Sequence, residues 1–313
     1  MNVSSHEHVS TPLNTWLTSS LTTTHSLTPL TVPHHRPCSP CSLCPTDDID
    51  ARDANNPLLC TEYVEALYET FGEQEKEVAV DPNYIAKTQT HVTEKMRTIL
   101  VDWMVEVHIK YKQVPETLYL TVQLIDRYLQ LKSVRRSKLQ LVGVACLLLA
   151  SKYEEIYPPE VRDLVHVTDH AYTKTDIIDA ESDVANALEF HLTVPTVHTF
   201  LCRYLKAAHA DRSMVQMACY LAERGLQEYS MVGFKPSEVA AACILVARKS
   251  LNRQSPWSPT LLKYTHLDEC DMQPCVLAMQ AFFATSEGSQ QQAVYRKYSA
   301  TKYGAVAKIP LSF

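Results

Sequence analysis

Glycine is scarce in this sequence. Only six occur in 313 residues, at Gly72, Gly143, Gly225, Gly233, Gly288 and Gly304, and no two lie close enough to form a loop whose backbone amides cradle a phosphate. Gly-rich nucleotide motifs are therefore excluded. An excess of basic charge is also missing: the net charge of −6 and pI near 6.1 leave no footprint of the kind nucleic-acid binding requires. Long hydrophobic runs are absent too. The longest, Leu141 to Ala150, is about half of the ~20 residues a spanning helix needs, so no membrane span is expected. No Lys or Arg precedes Arg36 and no signal-like apolar core lies near the N-terminus, so secretion is not expected. HExxH, a nucleophile elbow, a Walker loop and a kinase catalytic loop are all lacking. No catalytic residue, metal or cofactor is assigned.

What is present is an ordinary globular composition, 46% hydrophobic and 20% charged, enough to bury a sizeable core over two domains. Ten cysteines occur. Cys146, Cys202, Cys219 and Cys243 fall inside apolar helical runs and read as small buried hydrophobes of a reducing, intracellular protein. Residues 1–56 are rich in Ser, Thr, Pro and His and read as a disordered tail. His34, His35, Cys38, Cys41 and Cys44 within it could ligate zinc, but the ligands span about ten residues with no distant second pair, so the tail reading is preferred. Thr11-Pro12, Thr28-Pro29 and Ser39-Pro40 are candidate sites of proline-directed phosphorylation.

Beyond residue 57 the pattern is helical nearly throughout, with no alternating strand signal. Pro115 opens a helix to Leu131, Lys138 begins another to about Glu154, Pro158-Pro159 break it, and Thr173 with Asp176 resembles a capping box for a helix ending near Leu188. The chain also repeats itself. An offset of 97 residues aligns Val142, Ala145, Cys146, Leu148, Ala150 and Lys152 with Val239, Ala242, Cys243, Leu245, Ala247 and Lys249, and upstream Arg127 and Gln130 with Arg224 and Gln227. One ungapped offset across three helices indicates a duplicated domain rather than a solenoid unit. The expectation is all-α, two similar bundles in tandem, hinged near Pro195.

The stretch Glu94–Tyr111, EKMRTILVDWMVEVHIKY, holds the chemistry that demands explanation. At 100° per residue, Asp102, Glu106 and Lys110 form one narrow polar strip, and apolar residues cover nearly everything else. Arg97 falls inside the apolar arc. A guanidinium withdrawn from water needs a carboxylate partner, or the fold loses several kcal/mol.

Met96-Arg97-Thr98-Ile99-Leu100-Val101-Asp102-Trp103 resembles the signature of the cyclin box. Lys138 to Gly143 and Leu149-Ala-Ser-Lys-Tyr-Glu-Glu-Ile-Tyr-Pro-Pro-Glu160 are similar to its continuation. The likeness is to the A and B type, the S-phase and mitotic cyclins, over roughly 57–306. It implies two tandem five-helix boxes with an extra N-terminal helix: tail 1–56, helix and connector 57–92, first box 93–194, second box 195–306, and C-terminal tail 307–313. It further implies that Arg97 pairs with Asp126. Lys152, Tyr153, Glu181, Ala185, Phe190 and Leu192 fall on kinase-facing positions. Met96, Ile99, Leu100, Trp103, Glu106, Leu139 and Gln140 fall on a docking groove for Arg-x-Leu peptides, with Glu106 and Asp102 placed to meet the peptide's arginine. Thr98, Tyr153 and Ala185 depart from the usual alanine, phenylalanine and leucine.

The function these matches imply is that of a regulatory subunit, not an enzyme. It would bind and activate a cyclin-dependent Ser/Thr kinase as a heterodimer and recruit Arg-x-Leu substrates and inhibitors, in nucleus and cytoplasm, during S phase or mitosis. The alternatives are a transcription-type cyclin or two-box helical scaffold, and a helical enzyme with a spatially assembled His/Cys site. No Arg-x-x-Leu or Lys-Glu-Asn degradation signal occurs in the tail.

Overall fold

The computed structural model describes residues 46–285 and 292–313; the tail's cysteine and histidine cluster and its Ser/Thr-Pro dipeptides lie outside them. Among the described residues there are thirteen α-helices and no strand. An N-terminal helix α1 (Thr61–Glu77) and a short α2 (Tyr84–Thr88) precede a first bundle of α3 (Glu94–Tyr111), α4 (Pro115–Leu131), α5 (Leu139–Glu154), α6 (Val161–Val167) and α7 (Lys174–Ala187). A second bundle follows: α8 (Val197–Ala207), α9 (Arg212–Gln227), α10 (Pro236–Ser250), α11 (Pro259–Thr265) and α12 (Glu269–Thr285), then α13 (Ala293–Ser299). Helices α4 and α9 start at 115 and 212, and α5 and α10 at 139 and 236, so the 97-residue offset of the sequence is the spacing of equivalent helices.

Local chemistry sets the boundaries. The Thr93 hydroxyl caps α3 by accepting from Met96 N, and Pro115 sits in the first turn of α4. Thr173 and Asp176 cap α7 reciprocally. Each bundle is built around one helix with no polar face. In α5 every residue from Leu139 to Ser151 is buried, and in α10 every residue from Val239 to Ala247. Helix α3 approaches α5 at Gly143, where an added Cβ would stand 2.8 Å from Leu100 Cδ1; no larger residue fits there without repacking. Cys146 and Cys243 are buried as expected, and burial pushes both thiols up, so they remain protonated. Cys219 is half-buried, whereas Cys202 is exposed, on the side of α8 turned from the core.

Both ends of the chain depart from the expected tails. Residues 46–56 strap the second bundle, with Ile49 buried in the core. Asp50 takes Arg203 in a two-pronged pair at 2.7 Å and also Lys206 at 2.7 Å; Asp53 takes Lys206 at 2.5 Å, and Asp47 meets His209 at 3.1 Å. The Arg203 guanidinium lies between the rings of Tyr68 and Tyr264, and its pairing holds the Asp50 carboxyl down at about 2. At the other end, Phe313 packs on Phe283 and Ser312 N–H donates to Ser250 Oγ at 2.9 Å. Neither segment has the apolar periodicity of a helix, which is why composition alone assigns both to tails.

Candidate functional site

The buried charge on α3 is met from two directions. Arg97 Nε and Nη2 donate to the two oxygens of Asp126 on α4 at 2.6 and 2.7 Å, and Tyr84 OH donates to Asp126 Oδ1 at 2.8 Å. The remaining donor, Arg97 Nη1, reaches Leu226 O at 3.0 Å and Gln227 O at 3.4 Å. Those carbonyls end α9 and have no partner within their own helix. Arg97 therefore joins the two bundles as well as filling the first. Thr98 adds to the same junction, its hydroxyl donating to Gln227 O at 3.0 Å. Burial, with Asp126 and Tyr229 beside it, pushes the Tyr84 phenol up, so it stays a donor.

The polar strip of α3 is not an open rim. Asp102 Oδ1 accepts from Gln227 Nε2 at 2.5 Å and from Ala293 N–H at 2.9 Å, so Asp102 is used in holding α9 and α13. Glu106 accepts from Arg296 of α13. Met96, Ile99 and Trp103 are half-buried on the adjoining face, whereas Leu100, Leu139 and Gln140 are buried. These three are thus removed from the exposed groove. Leu100 is consumed by packing on Gly143, and Leu139 and Gln140 by the first turn of the central helix α5. Gln140 Oε1 has no hydrogen-bond partner among the described residues.

Burial pushes the Asp102 carboxyl up to about 6, helped by Glu106 and opposed by the Ala293 N–H, Arg296 and Gln227. The folded state then holds a proton that the unfolded chain releases near 3.8. This stabilisation is fully present below 3.8 and is lost as pH rises through about 6. Asp102→Asn keeps an acceptor for both donors, because both use Oδ1. It is expected to raise stability at pH 7.5 by about 2–3 kcal/mol, from ~1.4 kcal/mol per pKa unit, and to leave it unchanged at pH 4. Urea unfolding of both proteins across this range checks the difference.

A second surface lies where α5 ends and α7 runs beside it. Lys152 Nζ and Glu181 Oε1 pair at 2.5 Å across the two helices. Tyr153 is exposed, its hydroxyl 2.5 Å from Thr193 Oγ1. Phe190, immediately past α7, is 68% exposed. It stands on a strained turn: Glu189 and Phe190 both have positive φ, 51° and 57°, while Phe190 N–H donates back to Ala185 O at 2.9 Å. Leu192 is half-buried beside it. Ala185 does not belong to this surface; it is 4% exposed, turned into the core. Two large apolar residues near the end of α5 are also left in water. Ile156 and Tyr157, 87% and 91% exposed, follow α5 directly. Their sequence signal is a pair of large apolar residues set between Glu154-Glu155 and Pro158-Pro159, where no helix period can bury them.

No group of three or more His, Cys, Asp or Glu able to hold a metal occurs among the described residues, and no described helix is long and apolar enough to cross a membrane. The first bundle carries both of these faces, and the second bundle is joined to it through Arg97, Thr98 and Asp102. Comparison with family models matches residues 66–193 to the cyclin N-terminal domain and residues 195–312 to the cyclin C-terminal domain. The chain belongs to the cyclin family. This cyclin is 44% identical to Cyclin-B1-2 of Arabidopsis thaliana over 262 residues, and 43% identical to G2/mitotic-specific cyclin-1 of Medicago sativa subsp. varia over 267 residues. The alignments cover 84% and 85% of this chain but 58% and 62% of those relatives, so it spans about three fifths of their length. In fold it resembles a viral cyclin from herpesvirus saimiri, with a TM-score of 0.62 at 21% identity over 74% of this cyclin and 99% of the viral chain. It also resembles a chain of the yeast RNA Pol II CTD kinase CTDK-1 complex, with a TM-score of 0.56 at 14% identity over 67% and 75% of the two chains.

Proposed function

We propose that this cyclin is the regulatory subunit of a cyclin-dependent Ser/Thr kinase that drives cell-cycle progression, in nucleus and cytoplasm, with a mitotic role favoured by its B-type relatives. The carrying observation is the cross-helix Lys152–Glu181 pair, with exposed Tyr153 next to Lys152 in the chain and exposed Phe190 just past the helix that carries Glu181. Large apolar groups left in water beside a cross-helix ion pair are the makings of an interface core with polar anchors. Moving a kinase from about 1% to 99% competent needs roughly 5.5 kcal/mol of differential binding. A few apolar side chains at roughly 1.5–3 kcal/mol each are sufficient. The chemistry is the kinase's own; the cyclin packs against it and selects the arrangement in which its catalytic Lys–Glu pair forms.

Met96, Ile99 and Trp103 form the apolar part of a docking groove for Arg-x-Leu substrates and inhibitors, and Glu106 its acidic end. The half-buried apolar face of Met96, Ile99 and Trp103, adjoining the partly exposed Glu106 carboxylate on the same helix, supports this reading. For the kinase face, Lys152→Ala combined with Glu181→Ala is expected to weaken kinase association about ten- to a hundredfold, because each substitution strips a hydrogen bond from a desolvated contact. Co-purification and titration of kinase activity read this directly. A double variant with wild-type affinity and full activation would place the kinase elsewhere.

A further inference from the structure

The acidic end of the groove is already filled by an arginine from the same chain. Glu106, whose side chain is 30% exposed, pairs with Arg296, whose side chain is 60% exposed. The helix carrying Arg296 is pinned on both sides. Ala293 N–H is held by Asp102 on α3 at 2.9 Å, while Lys297 and Tyr298 hold Glu223 on α9 at 2.6 Å each. Glu223 is itself buried, so the helix is anchored in the core while the Arg296 side chain lies largely in solvent. Asp102, the other acid of the strip, holds α9 and α13 through its Oδ1.

We infer that Arg296 is a built-in competitor for the arginine of a docking peptide, and that it sets how strongly this cyclin discriminates Arg-x-Leu motifs from motifs lacking the arginine. The inference rests on the docking reading above. An incoming guanidinium must exchange with one already in place, so its charge gains little, and the displaced Arg296 remains nearby as a like charge. The apolar contacts of Trp103, Ile99 and Met96 are untouched by that exchange. Peptide recognition is therefore weighted toward the leucine pocket and away from the arginine.

The test is fluorescence polarisation on the full chain with two labelled peptides, one carrying Arg-x-Leu and one Ala-x-Leu. Exposed ion pairs of this kind are weak, shifting an equilibrium by only a few-fold. Arg296→Gln is thus expected to tighten the Arg-x-Leu peptide about two- to fivefold, most at low salt, with the Ala-x-Leu peptide unchanged. Arg296→Glu, which adds a second carboxylate, should tighten it about tenfold. Arg296 is exposed, and equal thermal melts confirm that the variants fold. Trp103→Ala serves as the control on the groove itself and should weaken both peptides. If wild type binds in a Trp103-dependent way and neither Arg296 variant changes the ratio between the peptides, the groove stands and the competitor role is wrong. If the Arg-x-Leu peptide binds none of these proteins, the docking reading and this inference fall together.

Discussion

Asp126→Ala is expected to destabilise the chain by about 3–5 kcal/mol, the range for removing one partner of a buried pair. Arg97 is 2% exposed, so its charge has no water to turn to, and Tyr84 OH loses its acceptor at the same stroke. The pair's worth and the cost of breaking it are different quantities. Replacing Arg97 and Asp126 together by Met and Leu should recover much of the loss, since apolar groups of similar volume often substitute for buried pairs without penalty. Recovery should nonetheless be incomplete. In the double variant the carbonyl of Leu226 loses its cation while that of Gln227 keeps only the Thr98 hydroxyl, and a buried polar group left unpaired costs about 1–3 kcal/mol. Equilibrium urea unfolding measures both steps. A full return to wild-type stability in the double variant would mean that Arg97 does not join the bundles, and an unshifted midpoint for Asp126→Ala would mean that it does not hold the first one either.

Phe190→Ala should leave the fold as stable as before and still reduce affinity for the kinase by about 2–4 kcal/mol, on the order of thirty- to a thousandfold. The separation follows from position: a side chain 68% exposed gives the core little, and a large aromatic at an interface centre gives much. Phe190→Gly sharpens the comparison. The residue sits at φ 57°, where an L side chain costs roughly 1–2 kcal/mol and glycine nearly nothing. This variant should melt at a higher temperature than wild type while losing the kinase just as Ala does. Calorimetric melting set against kinase titration gives both readouts, and a threefold or smaller loss of affinity in either variant would remove Phe190 from the interface.

The architecture was largely legible in the sequence, because helix starts, prolines and caps are local signals and because the two copies kept their spacing. Arg97 announced its need for an acid through periodicity alone, and the family resemblance supplied Asp126. What no residue pattern could supply was the third side of that junction, since the carbonyls of Leu226 and Gln227 are backbone atoms and leave no mark on side-chain identity. The same blindness applies to the strip on α3. Its period says that Asp102 and Glu106 share a face, but not that Gln227, Ala293 and Arg296 arrive from elsewhere to meet them. Leu100, Leu139, Gln140 and Ala185 were placed on surfaces by family position and are buried here, a matter of packing depth that a single sequence does not carry. The strap at residues 46–56 did leave a trace. Asp47, Asp50 and Asp53 are spaced three apart, and so are Arg203, Lys206 and His209, the bases they meet.

Arg127 and Gln130 of the first copy correspond to Arg224 and Gln227 of the second, yet the matched residues no longer do matched work. Gln130 Oε1 accepts from Asp81 N–H and steadies the connector, while Gln227 Nε2 reaches across to Asp102. Arg127 donates to His191 O beside the Phe190 turn, and Arg224 donates to Gln227 and lies against Phe282 and Phe283. Identical letters have been reassigned after duplication. In the first copy they brace the connector and the Phe190 turn, and in the second Arg224 stays within its own copy while Gln227 braces the first. This is a division of labour in which one half of the molecule has become the other's foundation, and substitutions deep in the second copy should register as altered recognition on the first.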